Sequence, residues 1–240
     1  MPVTGSGRPG ALACSFGLLC GAIAFSSAGA APGAVLHQMP ATPDPEARYV
    51  IYLHGRIIED SGPRPVHPRF GVYEYEPILE QLAAQGLQVI SEIRPAGTDI
   101  RQYAARVVEQ MKRLHAAGVP MERITTVGFS KGGGIALLAS SLLDRPDARF
   151  VLLAICGDSP DDDPGLRMRG RVLSIYEASD ELGSSCRRLF ERSPADLEYD
   201  EIRIDTGEGH GAFYRPRPEW LTPLVAWILD RDTPPRGTGG

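Results

Sequence analysis

The sequence predicts one α/β domain, a mostly parallel central sheet with helices on both faces. Short apolar runs rich in β-branched and aromatic residues alternate along the chain with segments of helical period. The runs are apolar throughout rather than at every second residue, as in strands covered on both sides. With 240 residues, 42% of them hydrophobic and 23% charged, there is apolar material for one sizeable core and not for a second large domain.

The core is expected to start at Arg48. Tyr49-Val50-Ile51-Tyr52-Leu53, ended by His54-Gly55, reads as a buried strand feeding a loop. A helix over 75–85 carries Ile78, Leu79 and Leu82 on one face and stops at Gly86, before a strand over 87–91. Asp99 caps a long helix to about 117, with Val107, Val108, Met111 and Leu114 as its apolar stripe. Strand 124–127, helix 132–143, strand 150–155, strand 171–176, a helix near 184–190, strand 201–204 and an amphipathic helix over 218–229 follow. The segment 57–75 is read as a long loop, and loops of this length tend to be functional.

The ends read differently. Residues 1–30 have signal-peptide grammar: Arg8, an uncharged apolar stretch, and an Ala-x-Ala exit at Ala28-Gly29-Ala30. Gly17, Gly21, Gly29 and Pro32 interrupt the segment, which argues against a retained membrane anchor. The expectation is therefore a secreted or periplasmic protein with no stable membrane insertion. Residues 31–47 read as a linker, 48–232 as the folded domain and 233–240 as a disordered tail. After export, Cys156 and Cys186 would remain, placed on loops after neighbouring strands; a disulfide and two unpaired thiols both stay open. No Cys or His partner stands at metal-ligand spacing. The net charge of −5, without a basic run, gives no reason to expect nucleic acid or an anionic membrane as a partner.

Gly128-Phe129-Ser130-Lys131-Gly132 fits G-x-S-x-G and lies between an apolar strand and an Ala/Leu-rich helix, where that motif has mechanical meaning. The tight turn strains the serine backbone and leaves no room for side chains two residues to either side. Ser130 is the candidate nucleophile, and a serine hydroxyl needs a base and a group to orient that base. Four histidines follow the linker: His54, His67, His115 and His210. His115 lies in the long helix away from the strand tips, and His54 ends the first core strand. His210, in Gly209-His210-Gly211 directly after the last strand, is the candidate base. The carboxylate should lie between Ser130 and His210 in chain order. Asp180 is favoured over Asp158 and Glu177, because the strand after next from the nucleophile is the usual supplier.

Leu53-His54-Gly55, the serine elbow, Asp180 and Gly209-His210-Gly211 stand in the order of the α/β-hydrolase superfamily, which the chain resembles from Arg48 to Leu229. It looks like the small, lidless branch that includes dienelactone hydrolases and the catalytic domains of prolyl-oligopeptidase-like enzymes. Dienelactone hydrolases use cysteine as nucleophile, so serine at 130 points toward ester-type hydrolysis. The resemblance implies an oxyanion hole formed by the backbone N–H groups of Arg56 and Lys131. It also implies a reaction that needs no cofactor and a small-molecule acyl substrate. His54, Arg64, Arg69 and Tyr73 are candidate substrate contacts, the arginines for an anionic or polar group. A peptidase or thioesterase would use the same parts, and a non-catalytic binding protein could keep the fold.

Overall fold

The computed structural model describes residues 1–5, 32–157 and 165–231. The expected export signal, all but its first five residues, lies outside the described residues, as do Asp158 and the tail over 233–240.

Along the chain come β1 (Ala34–Leu36), β2 (Tyr49–Leu53), α1 (Arg56–Ser61), β3 (Val66–His67), β4 (Gly71–Val72), α2 (Tyr75–Ala83), β5 (Gln88–Ile90) and α3 (Ile100–Ala116). They are followed by β6 (Ile124–Phe129), α4 (Lys131–Leu143), β7 (Arg149–Leu153), β8 (Arg171–Glu177), α5 (Arg187–Arg192), β9 (Glu198–Ile204) and α6 (Pro218–Ile228). Seven strands form one sheet in the order β1-β5-β2-β6-β7-β8-β9. Each ladder in it is parallel.

Side chains alternate across this sheet and fill two cores. Tyr49, Ile51 and Leu53 of β2 pack with α3, α4 and α5 on one face, while Val50 and Tyr52 pack with α2 and α6 on the other. The period-2 geometry of a strand makes this division, and burial on both faces makes every position apolar. Asp99 caps α3 as expected, its carboxylate accepting from the Gln102 N–H at 2.8 Å.

Two stretches depart from the sequence reading. The expected linker over 31–47 contains β1, which pairs in parallel with β5 through Ala34↔Gln88 and Leu36↔Ile90. The expected loop over 57–75 is largely ordered: α1 takes its first residues, and β3 and β4 form a small antiparallel hairpin. Strands of two or three residues and a helix of six are too short to print a period on the sequence; their partners make them.

Parallel order puts the functional turns together. The loops after β2, β6, β7, β8 and β9 all leave the carboxyl edge of the sheet, where open α/β sheets bind ligands. Leu53 pairs with Gly128, so the His54-Gly55 turn lies beside the serine turn.

Candidate active site

Ser130 sits between β6 and α4 at φ 52°, ψ −122°. A non-glycine residue in that region holds on the order of 1–3 kcal/mol of strain, which the surroundings must impose. The flanking glycines show how they do so. A Cβ at position 128 would lie 2.2 Å from the Gly132 carbonyl oxygen, and one at position 132 would lie 2.0 Å from that of Leu53. The helix start is thus pressed against the end of β2, which accounts for glycines that cost about 1 kcal/mol each in a helix. Ser130 donates its N–H to the Leu153 carbonyl (3.0 Å) and accepts from the Gly134 N–H (3.1 Å).

Ser130 opens on a cleft of about 310 Å³ lined by Arg56, Ile100, Lys131, Gly134, Ala154, Ile155 and Leu182. A disulfide follows directly on Ile155 of its wall. Cys156, just past β7, is bonded to Cys186, and the Ser184 N–H donates to the Cys156 carbonyl. Ala154, itself at φ 52°, lies so close to Gly183 that a Cβ there would stand 2.5 Å from its carbonyl carbon.

His210 lies in a 3-10 turn over Gly209–Tyr214 and is buried. Its Nδ1 is 2.8 Å from Asp180 Oδ2, and the Asp180 side chain is fully buried. A carboxylate only accepts, so Nδ1 carries the proton and Nε2 is left as the basic nitrogen. The other Asp180 oxygen accepts from the Leu182 N–H at 2.9 Å. The ring of Phe129, the residue before Ser130, is 4.8 Å from the imidazole. The strand order therefore puts Ser130, Asp180 and His210 at the same edge of the sheet.

Glu177, the other carboxylate near the end of β8, has a different task. Its Oε2 accepts from the N–H and hydroxyl of Ser179, both at 2.6 Å. Its Oε1 accepts from the Thr206 N–H (2.8 Å) and the Gly207 N–H (3.0 Å). Burial pushes this carboxyl up, but the bonds from Ser179, Thr206 and Gly207 together outweigh it and hold the group at about 2. Glu177 thus ties the loop carrying Asp180 to the loop leading to His210.

The turn after β2 approaches the serine closely: a Cβ at Gly55 would lie 3.8 Å from that of Ser130. Arg56 and Lys131 are each the first residue of a helix, where the N–H has no partner within the helix. Both residues line the cleft.

Two expected substrate contacts are corrected. His54 is wholly buried, with Nε2 accepting from the Arg94 N–H (3.0 Å) and Nδ1 2.9 Å from the Gly55 carbonyl. Burial first, and the Arg94 guanidinium second, push its pKa down to about 3. Tyr73 is also wholly buried, its hydroxyl 3.0 Å from that of Tyr52 and its ring stacked on Tyr214. Neither side chain can touch a ligand. Arg64 is exposed between α1 and β3 and is absent from the cleft lining. Arg69 pairs with Glu181 at 2.9 Å and borders a separate polar depression with Phe70, Ser179, Glu208 and Arg215.

The segment over 57–75 meets His210 through a residue not singled out in the sequence. The Phe70 ring lies 6.2 Å from the His210 ring, and a Cβ on Gly211 would stand 3.0 Å from its side chain. Also missed was an ion cluster under the turn after β2. Glu59 binds Arg94 (2.7 Å) and Lys131 (2.5 Å), with the Glu59 and Arg94 side chains fully buried. Charges 35 and 72 positions apart in the chain carry no local signal of pairing.

No protein-family profile matches the chain, and no curated protein matches it in sequence. Solved structures do match in shape. The crystal structure of Arabidopsis thaliana SOBER1 is similar with a TM-score of 0.55 at 14% identity, covering 77% of this chain and 99% of that one. Two single-residue variants of SOBER1 give 0.53 and 0.54 at 15% identity, covering 76% and 77% of this chain and 99% of theirs. At this identity the likeness is one of fold. Parallel strand order, a strained serine between strand and helix, and loops gathered at the carboxyl edge define the α/β-hydrolase fold.

Proposed function

We propose that the protein is a serine hydrolase acting on a small ester or related acyl compound. Ser130 Oγ attacks the substrate carbonyl while His210 Nε2 takes the hydroxyl proton. The carbonyl oxygen becomes an oxyanion facing the Arg56 and Lys131 N–H groups. Collapse breaks the bond to the leaving group, which receives the proton from His210, and an acyl-Ser130 ester remains. Water then gives a proton to His210 and attacks that ester; its collapse frees the acid and returns the proton to Ser130. Asp180 holds the imidazolium throughout.

The observation that carries this reading is the joint placement of a Ser130 backbone at φ 52° and the 2.8 Å His210–Asp180 bond at one sheet edge. A scaffold without chemistry has no use for strain at a serine on the sheet edge that also carries an oriented imidazole. The cleft wall of Ile100, Ala154, Ile155 and Leu182 suits an apolar acyl group, and its volume is at the small end for ligand pockets. Export to an oxidising compartment is part of the proposal, supported by the Cys156–Cys186 disulfide.

A fluorophosphonate probe tests the central point. Labelling of the folded protein that disappears in Ser130→Ala supports the reading; no labelling of folded wild-type protein overturns it. Acyl esters graded in chain length and charge then define the substrate.

A further inference from the structure

We infer that Glu59 is a positioning residue that holds the two halves of the oxyanion hole in register, through Arg94 on one side and Lys131 on the other. The inference rests on the reading of Ser130 as nucleophile and assigns the cluster beneath it a part in the reaction.

The two donors come from different chain segments. One is the N–H of Arg56, at the turn after β2; the other is the N–H of Lys131, at the start of α4. Stabilisation of an oxyanion depends on donors placed beforehand at about 2.7–3.1 Å from where the charge will form, so the two segments must be fixed against each other. Gly132 packs closely on Leu53, but the turn's own hold on the Gly55 carbonyl is a long one, 3.3 Å from the Ile58 N–H, at the start of a six-residue helix without a side-chain cap.

The cluster adds side-chain constraints that link the two segments. Arg94 donates from its backbone to His54 Nε2 and from Nη2 to the His54 carbonyl. With Nε2 accepting, the imidazole proton is on Nδ1, directed at the Gly55 carbonyl 2.9 Å away. Arg94 Nη2 also lies 3.2 Å from that nitrogen, but both atoms bear hydrogen, so its bond is the one to the carbonyl. A trans peptide is planar, so fixing the Gly55 C=O fixes the Arg56 N–H to point the opposite way. His54 thereby aims the first donor, and Arg94 holds His54.

Glu59 closes the circuit. Its Oε1 accepts from Arg94 Nε at 2.7 Å, and its Oε2 accepts from Lys131 Nζ at 2.5 Å. One carboxylate on α1 therefore grips the arginine that sets the first donor and the side chain of the residue that supplies the second. The Lys131 side chain lies under the turn and is only 18% exposed.

Glu59→Gln keeps the shape and weakens both grips, whereas Lys131→Met keeps the backbone N–H and removes one. On an activated acyl ester, kcat should fall about 10²-fold in Glu59→Gln, the lower end of the range for loss of an oxyanion donor, and about tenfold in Lys131→Met, below that range because the donor itself remains. KM should change less than threefold in both. Affinity for a trifluoromethyl ketone, whose serine adduct carries the oxyanion, should fall in parallel with kcat. The pH dependence of kcat/KM should keep its wild-type midpoint, because His210 and Asp180 are untouched. Wild-type kcat and ketone affinity in either folded variant would overturn the inference, as would a loss of kcat without loss of ketone affinity. If Glu59→Gln does not fold, Lys131→Met decides alone by the same two readouts. Failure of the parent reading looks different: a folded wild-type chain that neither hydrolyses an ester nor takes a fluorophosphonate, which overturns both.

Discussion

Glu177 and Thr206 are joined by a 2.8 Å bond from the Thr206 N–H to the Glu177 carboxylate, across the ends of adjacent strands. The same carboxylate takes Ser179 on its own loop, so it clamps the segments that carry Asp180 and His210. Replacement by Gln puts an amide N–H against one of these donors. Charge-assisted hydrogen bonds of this kind contribute about 1.5–3 kcal/mol each. Glu177→Gln is therefore expected to lower unfolding stability by about 2–3 kcal/mol and kcat by about tenfold, read by urea denaturation and steady-state kinetics. Unchanged values in both would show that the clamp is idle.

Asp180 and Glu177 are only three residues apart, and their roles separate experimentally. Asp180→Asn leaves a neutral group that no longer fixes the Nδ1–H tautomer of His210, and kcat should drop by about 10³–10⁴. The loss should exceed that of Glu177→Gln by at least about tenfold, because Glu177 touches backbone and hydroxyls rather than His210. Equal losses would mean that the carboxylate assignment is wrong.

The sequence showed most of what one strand or one helix can show. Apolar runs over β2, β6 and β7, the Asp99 cap and the glycine-flanked serine turn are local patterns, and the structure reproduces them. Chain order, with the usual strand positions of the α/β-hydrolase pattern, also brought Asp180 and His210 forward as partners. The misses are long-range. His54 ends a strand where a ligand contact would be expected, yet Arg94, forty residues later, binds its Nε2 and its carbonyl. Phe70 reaches His210 because β3 and β4 turn its segment back over the sheet edge, and no periodicity in a two-residue strand foretells that.

The burial of His54 makes stability depend on pH in a definite direction. Its folded pKa is about 3 against an ordinary 6.5, so between those values the unfolded chain binds a proton that the folded chain does not. Stability is then full above about 6.5 and is lost as the pH falls toward 3. The whole shift corresponds to on the order of 5 kcal/mol. Glu177, depressed from 4.5 to about 2, adds a second loss that begins only below 4.5. His54→Asn cannot be protonated and should flatten the decline between pH 6.5 and 4.5, leaving below it the part of the fall that Glu177 contributes. Urea denaturation at pH 7.5, 6.0 and 5.0 measures the slopes; the same slope in both proteins would refute the account.

The Cys156–Cys186 disulfide closes a chain separation of 30 residues. A loop of that size gives roughly 3–4 kcal/mol of stabilisation when the unfolded chain is constrained. Its position predicts a kinetic effect of a particular kind. The bond secures the cleft wall at Ala154, Ile155 and Leu182, while Asp180 and His210 are held separately by each other and by the Glu177 clamp. Cys156→Ser with Cys186→Ser should therefore lower stability by about that amount and raise KM several-fold, with kcat changed by less than about threefold. A large fall in kcat at constant KM would show instead that the disulfide acts on the Asp180 loop, through the Leu182 N–H that bonds its carboxylate.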